Sequence, residues 1–124
     1  MKHLSSHVLR FSFVALFVWF GVMQLIQPGD WIGYLPTWTD HIPVPGEMIV
    51  MLNGWFEVVA AAMLAAGVFP RAIAGFLAVH LFGIAVTAGG ATGVRDLALG
   101  MMGVAIMFLP QESLSGLFKK APTA

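Results

Sequence analysis

Residues 48–69 read MIVMLNGWFEVVAAAMLAAGVF, an apolar and small-residue run interrupted only by Asn53 and Glu57. A helix rises about 1.5 Å per residue, so roughly 20 residues cross a bilayer core about 30 Å thick. The run is long enough, and a carboxylate inside it must turn toward other helices rather than lipid. Working outward, residues 8–26 carry no charge after Arg10, and residues 72–88, opened by Arg71, contain His80 as their one strongly polar side chain. A last apolar stretch counted from Leu97 gives only about 20 Å of helix, too short to cross, so the fourth span must be 91–109. That choice puts Arg95 and Asp96 below the membrane surface.

Composition supports the same reading. The 124 residues are 59% hydrophobic and 10% charged, with a mean hydropathy of +0.88. A soluble domain of that size exposes much of its surface, and about a quarter of an ordinary sequence is charged. The expected fold is therefore all-α: one polytopic membrane domain over residues 1–124, a four-transmembrane-helix bundle with a short interfacial segment between the first two helices. Six basic and six acidic residues cancel, so nothing points to nucleic acid. The absence of cysteine removes disulfide exchange, thiolate catalysis and cysteine-ligated metal centres.

Lys2 and Arg10 precede an apolar stretch, as in a secretory signal peptide, but its far end, Met23 to Pro28, lacks the small residues of a cleavage site. It reads as a retained span. With four spans, Lys2, Arg10, Arg71, Lys119 and Lys120 fall on one side and only Arg95 lies toward the other. This bias puts both termini in the cytoplasm and the protein in the cytoplasmic (inner) membrane as a multi-pass protein.

In the outer connection 27–47, Trp31, Tyr34, Leu35 and Trp38 recur at helical spacing after Asp30 until Pro36 and Pro43 disturb the pattern. This predicts a short helical flap on the outer interface, where Trp and Tyr rings are favoured. It either anchors the chain or, through Trp31, Tyr34 and Trp38, forms a lid over a site between the helices. The tail 110–124, with Leu114, Leu117 and Phe118 beside two lysines, reads as an amphipathic segment on the cytoplasmic leaflet. Ala60, Ala61, Ala62, Ala65, Ala66, Gly67, Gly75, Ala78, Gly100 and Gly103 predict close helix packing, because helices in lipid associate by backbone approach.

Counting helical rise places Gln24, Asn53, Glu57, Arg95 and Asp96 roughly 20–25 Å above the cytoplasmic ends of their helices and His80 roughly 15 Å, within a turn of one another. One polar layer fed by all four helices is expected. Asn53 and Glu57, four apart, share a helix face. Glu57 needs a partner, and Arg95 can give a carboxylate two parallel hydrogen bonds. Asp96 points about 100° away around the same helix from Arg95. The expected arrangement pairs Glu57 with Arg95, leaves Asp96 near its helix N-terminus, and closes the cluster with His80 from below. The competing reading is that these groups only fix helix register. Haem is not expected, since no second His reaches the depth of His80 to serve as an axial ligand. His3 and His7, beside Lys2, read as a solvated N-terminal turn, and no metal site is expected. Gly89, Gly90 and Gly93 lack the Lys and Ser/Thr of a phosphate loop and read as a tight turn.

Arg10 with Gly21 and Gln24-Leu25, then Asn53-Gly54-Trp55-Phe56-Glu57, His80, and Arg95-Asp96-Leu97, in this order and spacing, resemble the DoxX family of small four-helix membrane proteins over about residues 8 to 110. Members commonly carry Lys where this chain has Gln24, so a cation at that place is missing here. The resemblance implies an integral membrane bundle. It also implies an association with membrane redox systems, since the family takes its name from subunits linked to a terminal quinol oxidase and to thiosulfate:quinone oxidoreduction, and other members partner with redox-stress proteins.

Three functions follow as expectations. The first is an accessory subunit, with no activity of its own, whose pocket takes a quinone or other lipophilic ligand against Gln24, Asn53, Trp55, Glu57, His80, Arg95 and Asp96. The second is a structural or assembly protein, and the third a small-solute or proton pathway. The expected surroundings are the lipid bilayer, together with redox partner proteins or further copies of the chain.

Overall fold

The computed structural model describes residues 2–109, and the tail 110–124 lies outside the described residues. Four helices account for most of it: α1 (Lys2–Ile26), α2 (Gly46–Ala66), α3 (Pro70–Ala88) and α4 (Gly90–Phe108). All four are long and apolar enough to cross a membrane. The protein is thus an all-helical, multi-pass membrane protein surrounded by lipid.

Local chemistry sets the helix ends. At Gly67 the backbone turns left-handed (φ 76°), and the amides of Gly67 and Val68 return to the carbonyls of Leu64 and Met63. This closure satisfies carbonyls that an apolar medium cannot, and glycine adopts it without steric cost. It ends α2 three residues before the expected limit. Phe69 also takes a left-handed conformation (φ 45°), the one non-glycine to do so among the described residues, and Pro70 starts α3 with its φ already helical. Between α3 and α4 only Gly89 intervenes, at φ 64°. The connection between α1 and α2 holds two short 3-10 helices, Pro28–Tyr34 and Thr37–His41, separated at Pro36.

The bundle consists of two close pairs, α1 with α2 and α3 with α4, with sparser backbone approach between the pairs. Glycine and alanine explain the close pairs. A Cβ on Gly21 would lie 2.8 Å from the Gly54 carbonyl oxygen, and one on Gly54 would lie 2.8 Å from that of Gly21. The two backbones of α1 and α2 cross there without side chains between them. On the other side, Gly93 meets the Ala85 carbonyl, Gly100 the Phe82 ring, and Gly103 the Ala78 Cβ and Ala74 carbonyl. The core brings together Phe13 and Phe17 from α1, Leu64 from α2, Leu77 and Leu81 from α3, and Ile106 from α4, with Ala60, Ala61 and Ala74 among them.

Each helix presents one inward stripe. In α1 it runs His7, Arg10, Phe13, Phe17, Gly21, Gln24, all buried, at the three- and four-residue spacing of a single face. The expectation of a solvated turn at His7 is corrected by this stripe: α1 continues unbroken from Lys2, and His7 shares the face of Phe13 and Phe17.

Candidate functional site

On the side of the bundle toward the α1–α2 connection, the inward stripes change from apolar to polar. Glu57 is only 3% exposed and accepts three hydrogen bonds. Gln24 Nε2 donates to its Oε2 at 2.8 Å, Asn53 Nδ2 donates to Oε1 at 3.1 Å, and His80 Nε2 lies 2.9 Å from Oε1. Asn53 Nδ2 also donates to Gln24 Oε1 at 2.8 Å. A carboxylate can only accept, so it dictates every direction in the network. Gln24 must turn its amide nitrogen to Glu57, which leaves its oxygen for Asn53, which must therefore present nitrogen. Gln24, Asn53 and Glu57 close a three-membered ring of hydrogen bonds, and His80 attaches to it from α3.

The glycine crossing makes this ring possible. Gly21 lies one turn before Gln24, and Gly54 one turn before Glu57. With the α1 and α2 backbones in contact there, the short Asn and Gln side chains reach across the gap. The depth count therefore succeeds for four residues: Gln24, Asn53, Glu57 and His80 meet.

It fails for α4. Arg95 does not pair with Glu57. Its Nε donates to Asp96 Oδ1 at 2.9 Å, the neighbour that helical angle had seemed to exclude. The reason is the α4 stripe. Gly93, Asp96, Gly100, Gly103 and Ile106 are its buried residues, and the glycines of this set are what let α4 lie against α3. Asp96 belongs to that face, only 3% exposed, so Arg95 cannot. The long Arg side chain instead lies 53% exposed and bends back to its neighbour. Its guanidinium carbon sits 5.8 Å from the Phe20 ring centroid on α1. The spacing of Asp96 with Gly93, Gly100 and Gly103 was the signal that could have assigned the inward residue.

Trp55 also departs from expectation. It is 57% exposed and lies two residues from Glu57, roughly 200° around the helix, so it faces away from the cluster. Of the three connection aromatics, Trp31 packs against α1. Its ring meets Phe20 at 5.4 Å, Trp19 at 6.4 Å and Tyr34 at 5.7 Å between centroids. Tyr34 and Trp38 are exposed. The flap is thus fixed to α1 through Trp31, in the position that aromatic side chains favour at a membrane surface.

Gln24 and Glu57 are buried, while Asn53 and His80 are only partly so. The His80 side chain is 21% exposed, and its ring lies 5.4 Å from that of Phe56 and 6.5 Å from that of Phe17. Only Nε2 is engaged. Nδ1 has no hydrogen-bond partner among the described residues, and it is not among the buried unpartnered atoms. Nε2 faces the buried Glu57 carboxyl group, and Nδ1 is the ring nitrogen left open to a further hydrogen bond. Among the described residues no cluster of three or more metal-ligating side chains occurs.

Neither the curated proteins nor the solved structures include a match to this chain. The DoxX family model matches residues 5–90, over two thirds of the 124-residue chain. The match takes in α1, the aromatic connection, α2 and α3 with the whole Gln24, Asn53, Glu57 and His80 cluster, and it stops at the start of α4, short of the Arg95-Asp96-Leu97 part of the resemblance. The chain belongs to the DoxX family.

Proposed function

We propose that this protein is an accessory subunit of a membrane redox system and holds a quinone-like lipophilic ligand by its polar head at His80. The observation that carries the reading is the His80 and Glu57 pair: a buried carboxyl group engages one ring nitrogen while the other stays open, on a ring that neighbours Phe17 and Phe56. A quinone head group needs apolar walls and a hydrogen-bond or proton partner at its oxygen. His80 Nδ1 accepts a hydrogen bond from a quinol hydroxyl, or, once protonated, donates one to a quinone carbonyl. Glu57 stabilises the charged ring in the second state. Gln24 and Asn53 hold Glu57 in place. Electrons are supplied and removed by a partner protein, so the chain has no activity of its own. Both termini face the cytoplasm, in keeping with Lys2, Arg10, Arg71, Lys119 and Lys120 on that side, and the cluster lies in the outer half of the cytoplasmic membrane.

The test is titration of the purified protein with a short-tailed benzoquinone, read by quenching of Trp fluorescence. Saturable quenching is expected, and His80→Phe, which keeps ring packing and removes the hydrogen bond, should weaken it roughly tenfold. Quenching that rises linearly with quinone and is identical in the variant would refute the ligand.

A second reading has one observation in its favour: every hydrogen-bonding group used in the Gln24, Asn53 and Glu57 ring is satisfied within the ring. Such a closed ring suits a purely structural role that fixes the register of α1 on α2. In that case His80→Phe lowers stability or assembly with a partner and has no separate effect on quinone.

A further inference from the structure

Arg95 has a role left over. Asp96 engages its Nε and holds the guanidinium in one orientation, while neither Nη group has a hydrogen-bond partner among the described residues. Beneath it lies Phe20, whose other neighbours are Trp19 and Trp31. The guanidinium is thereby fixed in the angle between α1 and α4, where the two helix pairs meet. Arg95 follows the first residue of α4 by five positions, about 7.5 Å of helical rise. A long Arg side chain at that depth reaches toward the head-group boundary, where phosphate oxygens can accept from the four N–H donors of its two Nη groups.

We propose that the outward fork of Arg95 holds the phosphate of a phospholipid in the leaflet on the side of the α1–α2 connection. Two Nη groups in one plane match two non-bridging phosphate oxygens, and the buried Asp96 acts as the positioning residue that aims them. Asp30, Asp40 and Glu47 are exposed on the same side and none of them bonds to Arg95. They would repel a free phosphate arriving from water, whereas a lipid enters sideways from the bilayer. The aromatic group of Trp19, Phe20 and Trp31 offers the acyl chain and glycerol a rigid wall beside the fork.

Native mass spectrometry of the full chain in mild detergent tests this directly. After delipidation, dioleoyl phosphatidylglycerol, dioleoylglycerol and inorganic phosphate are added separately. The wild type should retain one phosphatidylglycerol and no dioleoylglycerol, and millimolar inorganic phosphate should not displace it. Arg95→Gln should reduce retention roughly tenfold, and Arg95→Lys, which keeps the charge without the fork, should fall between them. Arg71→Gln, on the opposite side, is the control and should leave retention unchanged. A thermal melt shows whether each variant is folded, and if Arg95→Gln is not, the Arg95→Lys result decides. Equal retention by the wild type and the folded Arg95 variant, retention of dioleoylglycerol as strong as that of phosphatidylglycerol, or displacement by inorganic phosphate would each overturn the lipid assignment.

Discussion

Glu57→Gln keeps the shape of the side chain, yet it cannot keep all the hydrogen bonds. In the native ring the carboxylate accepts at both ends. An amide has one accepting and one donating end, and so has Gln24, while Asn53 presents a single nitrogen to both. If Asn53 donates to Gln24 and to position 57, both must turn oxygen toward it, and their two nitrogens then face each other. Flipping Asn53 turns both others around, and two oxygens then face each other. Every arrangement of the three amides leaves one edge of the ring broken. An unsatisfied buried pair of this kind costs about 1–3 kcal/mol, with values in membrane proteins toward the lower end.

The same logic predicts that the penalty depends on Asn53. Removing that side chain by Asn53→Leu opens the ring, and Gln24 can then face Gln at position 57 without conflict, while His80 adapts by changing tautomer. Glu57→Gln should therefore cost about 0.5 kcal/mol or less in the Asn53→Leu background, a coupling of at least about 0.5 kcal/mol, at or above the scatter expected of independent sites. Reversible unfolding of the four proteins in mixed micelles, followed by helical circular dichroism with increasing SDS fraction, measures all the terms. Equal costs of Glu57→Gln in the two backgrounds, or a cost near zero in the native one, would refute the ring.

Two further variants probe the backbone that carries the cluster. Gly54→Ala would place a methyl group 2.8 Å from the Gly21 carbonyl and 3.1 Å from the Gln24 Cβ; the helices must part, and the same unfolding assay should show a loss of about 1–3 kcal/mol. Phe69→Gly should do the opposite, because Phe69 is largely exposed and sits in a left-handed conformation; relief of that strain, less the added freedom of glycine in the unfolded chain, should stabilise by about 0.5–1 kcal/mol in that assay.

Much of this architecture was legible from apolar run lengths, because the bilayer imposes one element length on every crossing. Depth was legible too, since helical rise is constant, and it brought Gln24, Asn53, Glu57 and His80 to one level. What depth cannot give is rotation. For α4 the choice between Arg95 and Asp96 rested on charge complementarity to Glu57, while the chain answered with packing: the glycines that seat α4 on α3 share a face with Asp96. Trp55 was misjudged in the same way, by sequence proximity to Glu57 rather than by angle. His7 was assigned to solvent from its charged neighbours, but α1 runs unbroken from Lys2 and buries it. The limit near 69 moved because Gly67 can close a helix with its own backbone, which hydropathy does not register.

The division into two close helix pairs also bears on how the chain is made. Synthesis runs from the N-terminus, so α1 and α2 can meet before α3 has left the ribosome. Gln24 and Asn53 are then already available to the Glu57 carboxylate, and the most costly group in the second span enters lipid with its partners beside it rather than alone. His80 arrives only with the second pair, which the single residue Gly89 obliges to enter as a hairpin. The hydrogen bond between His80 and Glu57 is thus the polar link that waits for the second pair, a latch that joins the two halves of the bundle.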